Sequence, residues 1–234
     1  MEMEQDFLKR LEELEKEVRR QAYYTDMQAI EQVKSRYVYL MENNRPELVW
    51  EELFVHDDPD VSMELNDNGK YIGPEHVKRA WETIGGVVDK DGNPQEKKMF
   101  EGQKLPFMML TVDTPYIVIS EDGSSAKGDW HIFGPHTVKM PDPETGEIKM
   151  CAYWFAGKFH HEFVKTEDGW KFKHFRAISW MRAPYESGWN HQQGCRRSNP
   201  PFSPDEPPRY NFYDPELDYR DDFWGPMPDP IIKY

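Results

Sequence analysis

Apolar residues recur at helical spacing in the first third of the chain and at a spacing of two further on. Phe7, Leu11, Leu14 and Val18 stand among Glu, Lys and Arg as one helical seam. A seam of about two heptads is too short for a stable coiled coil alone, so it packs either on a partner subunit or on the domain itself. Thr25 and Gln28 read as a capping box for a second helix, whose inner face carries Ile30, Val33, Tyr37, Leu40 and Met41. Asn44, Pro46 and Glu47 open a third helix with Leu48, Trp50, Leu53 and Phe54, and Gly73-Pro74 opens a fourth with Val77, Ala80, Trp81 and Ile84.

A polar loop follows, and then the period changes. Leu110 to Ser120, Ala126 to Val138, Cys151 to Lys165 and Trp170 to Trp180 are β-branched and aromatic, and Glu121-Asp122-Gly123 and Asp168-Gly169 supply turns. Helices first and antiparallel strands afterwards predict an α+β domain. Beyond Pro184 the character changes again. Nearly half of the 19 prolines lie past Ser198, interleaved with Phe202, Tyr210, Phe212, Tyr213, Tyr219, Phe223 and Trp224. Such a segment is neither helix nor central strand, and its rings predict an extended tail lying along a surface, this chain's or a neighbour's. The expected organisation is an arm over 1–25, a domain over 26–183 and a tail over 184–234.

Strand parity then selects the candidate chemistry. Ala126, Gly128, Trp130, Ile132 and His136 share one face, provided that Gly134-Pro135 introduces no bulge. In the next strand Tyr153, Phe155, Gly157, Phe159, His161 and Phe163 share the more apolar face. His136 and His161 are therefore expected to look into one apolar concavity, with a turn-capping His136 and a His161 bonded to Tyr153 as the plainer alternatives. Arg176, with the parity of Phe172 and His174, is either an anchor for an anionic substrate group or the partner of one of the 43 acidic side chains. His160 and His161 are adjacent, so their rings point to opposite faces and make no metal site.

Composition narrows the function classes. A formal charge of −14 disfavours nucleic acid and a polybasic membrane anchor. No apolar run is long enough to span a membrane, and Met1 leads straight into charged residues, so a cytoplasmic protein is expected. Cys151 and Cys195 form no zinc or disulfide pattern. Aromatic residues make up 14% of the chain, enough to line a pocket for a flat ligand. The sequence offers no phosphate-cradling glycine loop, dinucleotide fingerprint or Ser-His-Asp arrangement.

The order of helices and long strands resembles the NTF2-like superfamily, in its SnoaL-like and scytalone dehydratase-like branch. Ala126-Lys127-Gly128-Asp129-Trp130 looks like that branch's strand signature, and Phe159-His160-His161-Glu162-Phe163 through Asp168-Gly169-Trp170-Lys171-Phe172 like its last hairpin. The likeness spans roughly 26–182 and implies a cone: a curved antiparallel sheet closed by N-terminal helices. It implies Glu42 where the family carries an aspartate, His136 in a Pro-His pair like that of scytalone dehydratase, and Tyr37 like the tyrosine of bile acid 7α-dehydratases. The chain departs from the family pattern at Met109, where another histidine is expected, and at Phe159, where scytalone dehydratase has a polar residue.

The function expected from the residues and the resemblance together is a cofactor-independent lyase. It would eliminate water, or formaldehyde by C–C cleavage, from a bulky aromatic (diaryl) or polycyclic alcohol. An isomerase or cyclase in the same pocket, or a non-enzymatic small-molecule-binding module, are the alternatives. Elimination needs one group to take a proton from carbon and another to donate to the leaving oxygen, roles suited to His136, Glu42, Tyr37 and His161. Trp130, Tyr153, Phe159, Arg176 and Met109 are the expected substrate contacts. No cofactor or metal is required, and the arm and tail predict self-association as a dimer or trimer.

Overall fold

The computed structural model describes residues 2–65, 67–97, 107–141, 145–186, 188–189, 200–209, 213–214, 216 and 223–230. Cys195, Tyr210, Phe212 and Tyr219 lie outside them. The chain order is α1 (Glu2–Glu42), α2 (Glu47–Leu53), β1 (Ser62–Leu65), β2 (Gly69–Ile72), α3 (Pro74–Gly85), β3 (Thr111–Ile119), β4 (Ser125–Pro141), β5 (Ile148–Thr166) and β6 (Gly169–Pro184). One six-stranded sheet runs β2-β1-β6-β5-β4-β3. Its long strands pair antiparallel, as expected, while β1 lies parallel to β6. The β1/β2 hairpin has no counterpart in the sequence reading. Its strands have four residues each, too few to show a period.

The expected arm and second helix are one helix. No Gly or Pro interrupts residues 2–42, and the Thr25 hydroxyl donates back to the Gln21 carbonyl at 2.9 Å instead of capping a new start. Only the second half of α1 meets the sheet, through Ile30, Tyr37 and Leu40. Before Tyr23 it leaves the body, with Phe7 66%, Leu11 43%, Leu14 62% and Val18 64% exposed. At 1.5 Å per residue the whole element is roughly 60 Å long.

Strand β4 pairs with β5 without a register shift from Ser125 to Pro141, so Gly134-Pro135 makes no bulge. Gly134 has a different task. A Cβ there would meet the Met109 carbonyl oxygen at 1.8 Å, so the missing side chain lets residues 107–110 lie against β4. Strand β6 does bulge, twice: one extra residue stands between the partners of Glu162 and Phe163, and another between those of Ala156 and Gly157. Each extra residue reverses the parity of the strand beyond it.

The described residues of the tail lie on their own chain's sheet and on α3. Phe202 packs on Tyr71 and Asp205 pairs with His76 at 2.8 Å. Farther on, Phe223 and Trp224 cover Trp180, Lys158 donates to the Pro226 carbonyl, and Asp229 pairs with Lys127 at 2.8 Å. Lys158 also pairs with Asp129 at 2.8 Å. Among the described residues no helix is long and apolar enough to cross a membrane.

Candidate active site

The inner face of the sheet, α1 and residues 108–110 enclose a cavity of about 140 Å³ with an open mouth, small beside most small-molecule sites. Met41, Leu110, Ile132, Phe155 and Phe159 make its walls apolar, and its polar groups are few: Tyr37, Asp67, Asn68, His136, Ser179 and Arg182. His136 is brought in by the unbroken parity of β4. Its ring stands 5.9 Å from both Tyr153 and Phe155, and Met108 bridges to its backbone. Nδ1 is buried with no hydrogen-bond partner among the described residues. Burial, aided by the Arg182 charge, pushes His136 down to about 4, so the imidazole is neutral at ordinary pH.

Opposite it, Arg182 Nη1 donates to Asp67 Oδ2 at 2.7 Å. Asp67 is 5% exposed, and the Arg182 guanidinium lies 5.6 Å from the Phe155 ring. The pair thus presents a fixed guanidinium to an otherwise greasy space. Tyr37 packs edge-on to Phe159 at 5.5 Å, and burial holds its phenol above the usual range, hence protonated.

Of the expected residues, the cavity therefore gathers His136, Tyr37 and Phe159. The others stand elsewhere, each for an identifiable reason. Glu42 borders a neighbouring opening, where its Oε1 accepts the Leu110 backbone N–H at 2.9 Å. His161 is fully buried behind the cavity, stacked on Phe175 at 4.3 Å, with Nε2 3.0 Å from Lys34 Nζ. Trp130, 2% exposed, fills the core beside His161, and Tyr153, 6% exposed, backs the ring of His136 without bordering the space. Met109 is 47% exposed, because neighbouring residues of an extended segment face opposite ways and Met108 takes the inner place. Arg176 pairs across the strands with outward-facing His160 and lies 3.3 Å from Glu64, since the first bulge of β6 separates its face from that of Phe172.

Asp67, Arg182 and Lys34 were not anticipated. Lys34 left a signal, a lysine inside the apolar row from Ile30 to Tyr37, and Arg182 left another, the parity of Phe172. The first bulge of β6 would turn Arg182 outward and the second turns it back in, and Asp67 sits in a polar turn that nothing in the sequence distinguishes. On the outer face, the Ser62 hydroxyl lies 2.9 Å from His174 Nδ1, and His174 Nε2 lies 3.5 Å from Asp60, an arrangement the sequence did not suggest. Ser62 is 4% exposed and does not border the adjacent groove, so this chain of contacts ties β1 to β6. Among the described residues no three His, Cys, Asp or Glu side chains converge as a metal site would require.

The SnoaL-like domain family matches residues 22–176. No curated protein matches the chain. Among solved structures, a provisionally named scytalone dehydratase from Novosphingobium aromaticivorans is 19% identical, with a TM-score of 0.50 over 77% of this chain and 95% of that one. A hexachlorocyclohexane dehydrochlorinase from Novosphingobium barchaimii is 10% identical, with a TM-score of 0.49 over 72% and 95% of the two chains. An NTF2-like superfamily protein from Salmonella enterica is 17% identical, with a TM-score of 0.45 over 71% and 99%. At such identities the likeness is one of fold.

Proposed function

This chain belongs to the SnoaL-like family, and from that premise we propose that its cavity carries out a cofactor-independent acid/base elimination. The substrate class is a bulky aromatic, preferably diaryl, or polycyclic alcohol, which loses water or, by C–C cleavage, formaldehyde. One observation carries this reading: a neutral, buried imidazole at His136 shares an apolar cavity with the Asp67–Arg182 pair.

His136 acts as the base. For dehydration it takes the proton from carbon. For loss of formaldehyde it takes the proton of a primary hydroxyl β to a carbonyl, the C–C electron pair passes into the enolate as formaldehyde leaves, and the proton held by His136 then returns to the enolate carbon. Arg182, held by Asp67, binds the substrate oxygen on which negative charge grows, in a space where water does not screen it. Tyr37, kept protonated by burial, donates to the departing oxygen. Glu42 supports the wall through Leu110.

The test is mass spectrometry of the purified protein with diaryl-propane, polyketide and steroid alcohols. A product lighter by water or formaldehyde supports the lyase and names the leaving group. His136→Ala and His136→Gln should each lower turnover by about 100-fold or more, the scale of general acid–base catalysis. Unchanged product mass with altered retention would favour an isomerase, and no conversion with bound ligand would favour a binding module.

A further inference from the structure

Behind Phe159 the fold buries an amine that the elimination does not use. Lys34 is 2% exposed, and its Nζ lies 3.0 Å from His161 Nε2, 3.0 Å from the centre of the Phe159 ring and 4.5 Å from that of Tyr37. Trp130 and Phe175 close the surround at 5.7 Å each. Among the described residues no carboxylate stands within ion-pair distance of it. Magnitudes decide its charge. A desolvated cation gains about 2 kcal/mol from an aromatic face, whereas removing an ammonium from water costs several kcal/mol even after relaxation. Burial accordingly holds Lys34 well below its usual range, with only the charge of Glu31 opposing. His161 is held down too, first by burial and then by Lys34. Burial thus favours the uncharged form of both groups, and an uncharged lysine is a nucleophile.

Lys34 also borders a second opening of about 220 Å³, beside Glu31, Val38, Tyr39, Leu110 and Val112. Its lining is part apolar and part acidic, and Leu110 separates it from the first cavity. Glu31 lies one turn before Lys34 on α1, and burial raises its carboxyl above the usual range, against the pull of Lys34.

We propose that Lys34 is a carbonyl-condensing site, whose amine forms an imine with an aromatic or small aliphatic aldehyde admitted through this opening. The nitrogen lone pair attacks the carbonyl carbon, and one N–H proton passes by way of His161 Nε2 to the oxygen, giving a carbinolamine. Protonated Glu31 donates to that hydroxyl, which leaves as water while the nitrogen lone pair forms the C=N bond. The remaining N–H proton returns to the Glu31 carboxylate. The sum is amine plus aldehyde giving imine plus water, with no oxidant or reductant. The step needs neither His136 nor Arg182, so it stands or falls separately from the elimination.

The full-length protein is incubated with benzaldehyde at about pH 7, where exposed lysines are protonated, and then reduced with sodium borohydride. Intact mass and a peptide map are read. One benzyl group per chain on the peptide holding Lys34, lost in Lys34→Met, is the expected result. Between about pH 7 and pH 9 the Lys34 labelling rate should climb less steeply than that of exposed lysines, which rises nearly tenfold per unit. A wild-type map with benzyl groups only on exposed lysines, or with none, overturns the proposal. So does Lys34 labelling that climbs in parallel with the exposed lysines. Both overturning results come from the wild-type chain, so the folding of the variant cannot obscure them.

Discussion

His136 loses water on folding and gains no hydrogen bond at Nδ1 among the described residues in return. Its proton affinity therefore falls from the usual 6.5 to about 4. The unfolded chain binds that proton more tightly, so stability is fully present above pH 6.5 and is lost as pH falls through 4. The loss should reach roughly 3 kcal/mol at about 1.4 kcal/mol per unit. Urea unfolding of wild type and His136→Gln across this window should diverge in wild type's disfavour on acidification; parallel curves would place His136 in an ordinary environment. Glu42 makes a second residue-scale prediction. Because its Oε1 only accepts a backbone N–H, Glu42→Gln can present an amide oxygen instead, and turnover should fall by less than about tenfold, the worth of one net hydrogen bond. Loss of all activity would return Glu42 to the chemistry.

At the scale of the element, β6 decides which arginine meets substrate. Two extra residues set Phe172, Phe175, Ala177, Ser179 and Arg182 on the inner side, a sequence that no single period describes. Arg182→Lys keeps the charge but loses the planar fork that serves Asp67 and substrate together, so KM should rise about tenfold, the worth of one charge-assisted hydrogen bond. Arg176→Met should leave both kinetic constants within about twofold, since Arg176 faces away from the cavity and does not border it. Equal effects in steady-state kinetics would contradict the assigned faces. The same bulges explain which residues could be read beforehand. Unbroken β4 and β5 gave up His136 and Phe159 to simple alternation. Simple alternation puts both Arg176 and Arg182 on the face of Phe172; the two bulges turn Arg176 outward and return Arg182, and a bulge is set by pairing across strands, which local pattern does not record. Asp67 and Lys34 depend on contacts between elements far apart in sequence, and α1 looked like two helices because Thr25 has the chemistry of a cap and the position of an interior residue.

The cone carries the described part of its tail fastened to the β2 edge, α3 and the outer side of its own sheet, and the first half of α1 stands free. Phe7, Leu11, Leu14 and Val18 remain exposed on that helix, and self-association through them is expected; sedimentation showing a single chain at all concentrations would count against it. The helix is also unbroken between this row and the residues bordering both cavities. It is a shaft, and rows on a shaft have an angular phase. One residue inserted between Arg20 and Gln21 would turn the apolar row by about 100° while leaving the cone untouched. Seven would restore the phase to within about 20°, some 10 Å farther out. An assembly that grips the row should fail with one inserted residue and recover with seven, and the chemistry of an isolated chain should notice neither.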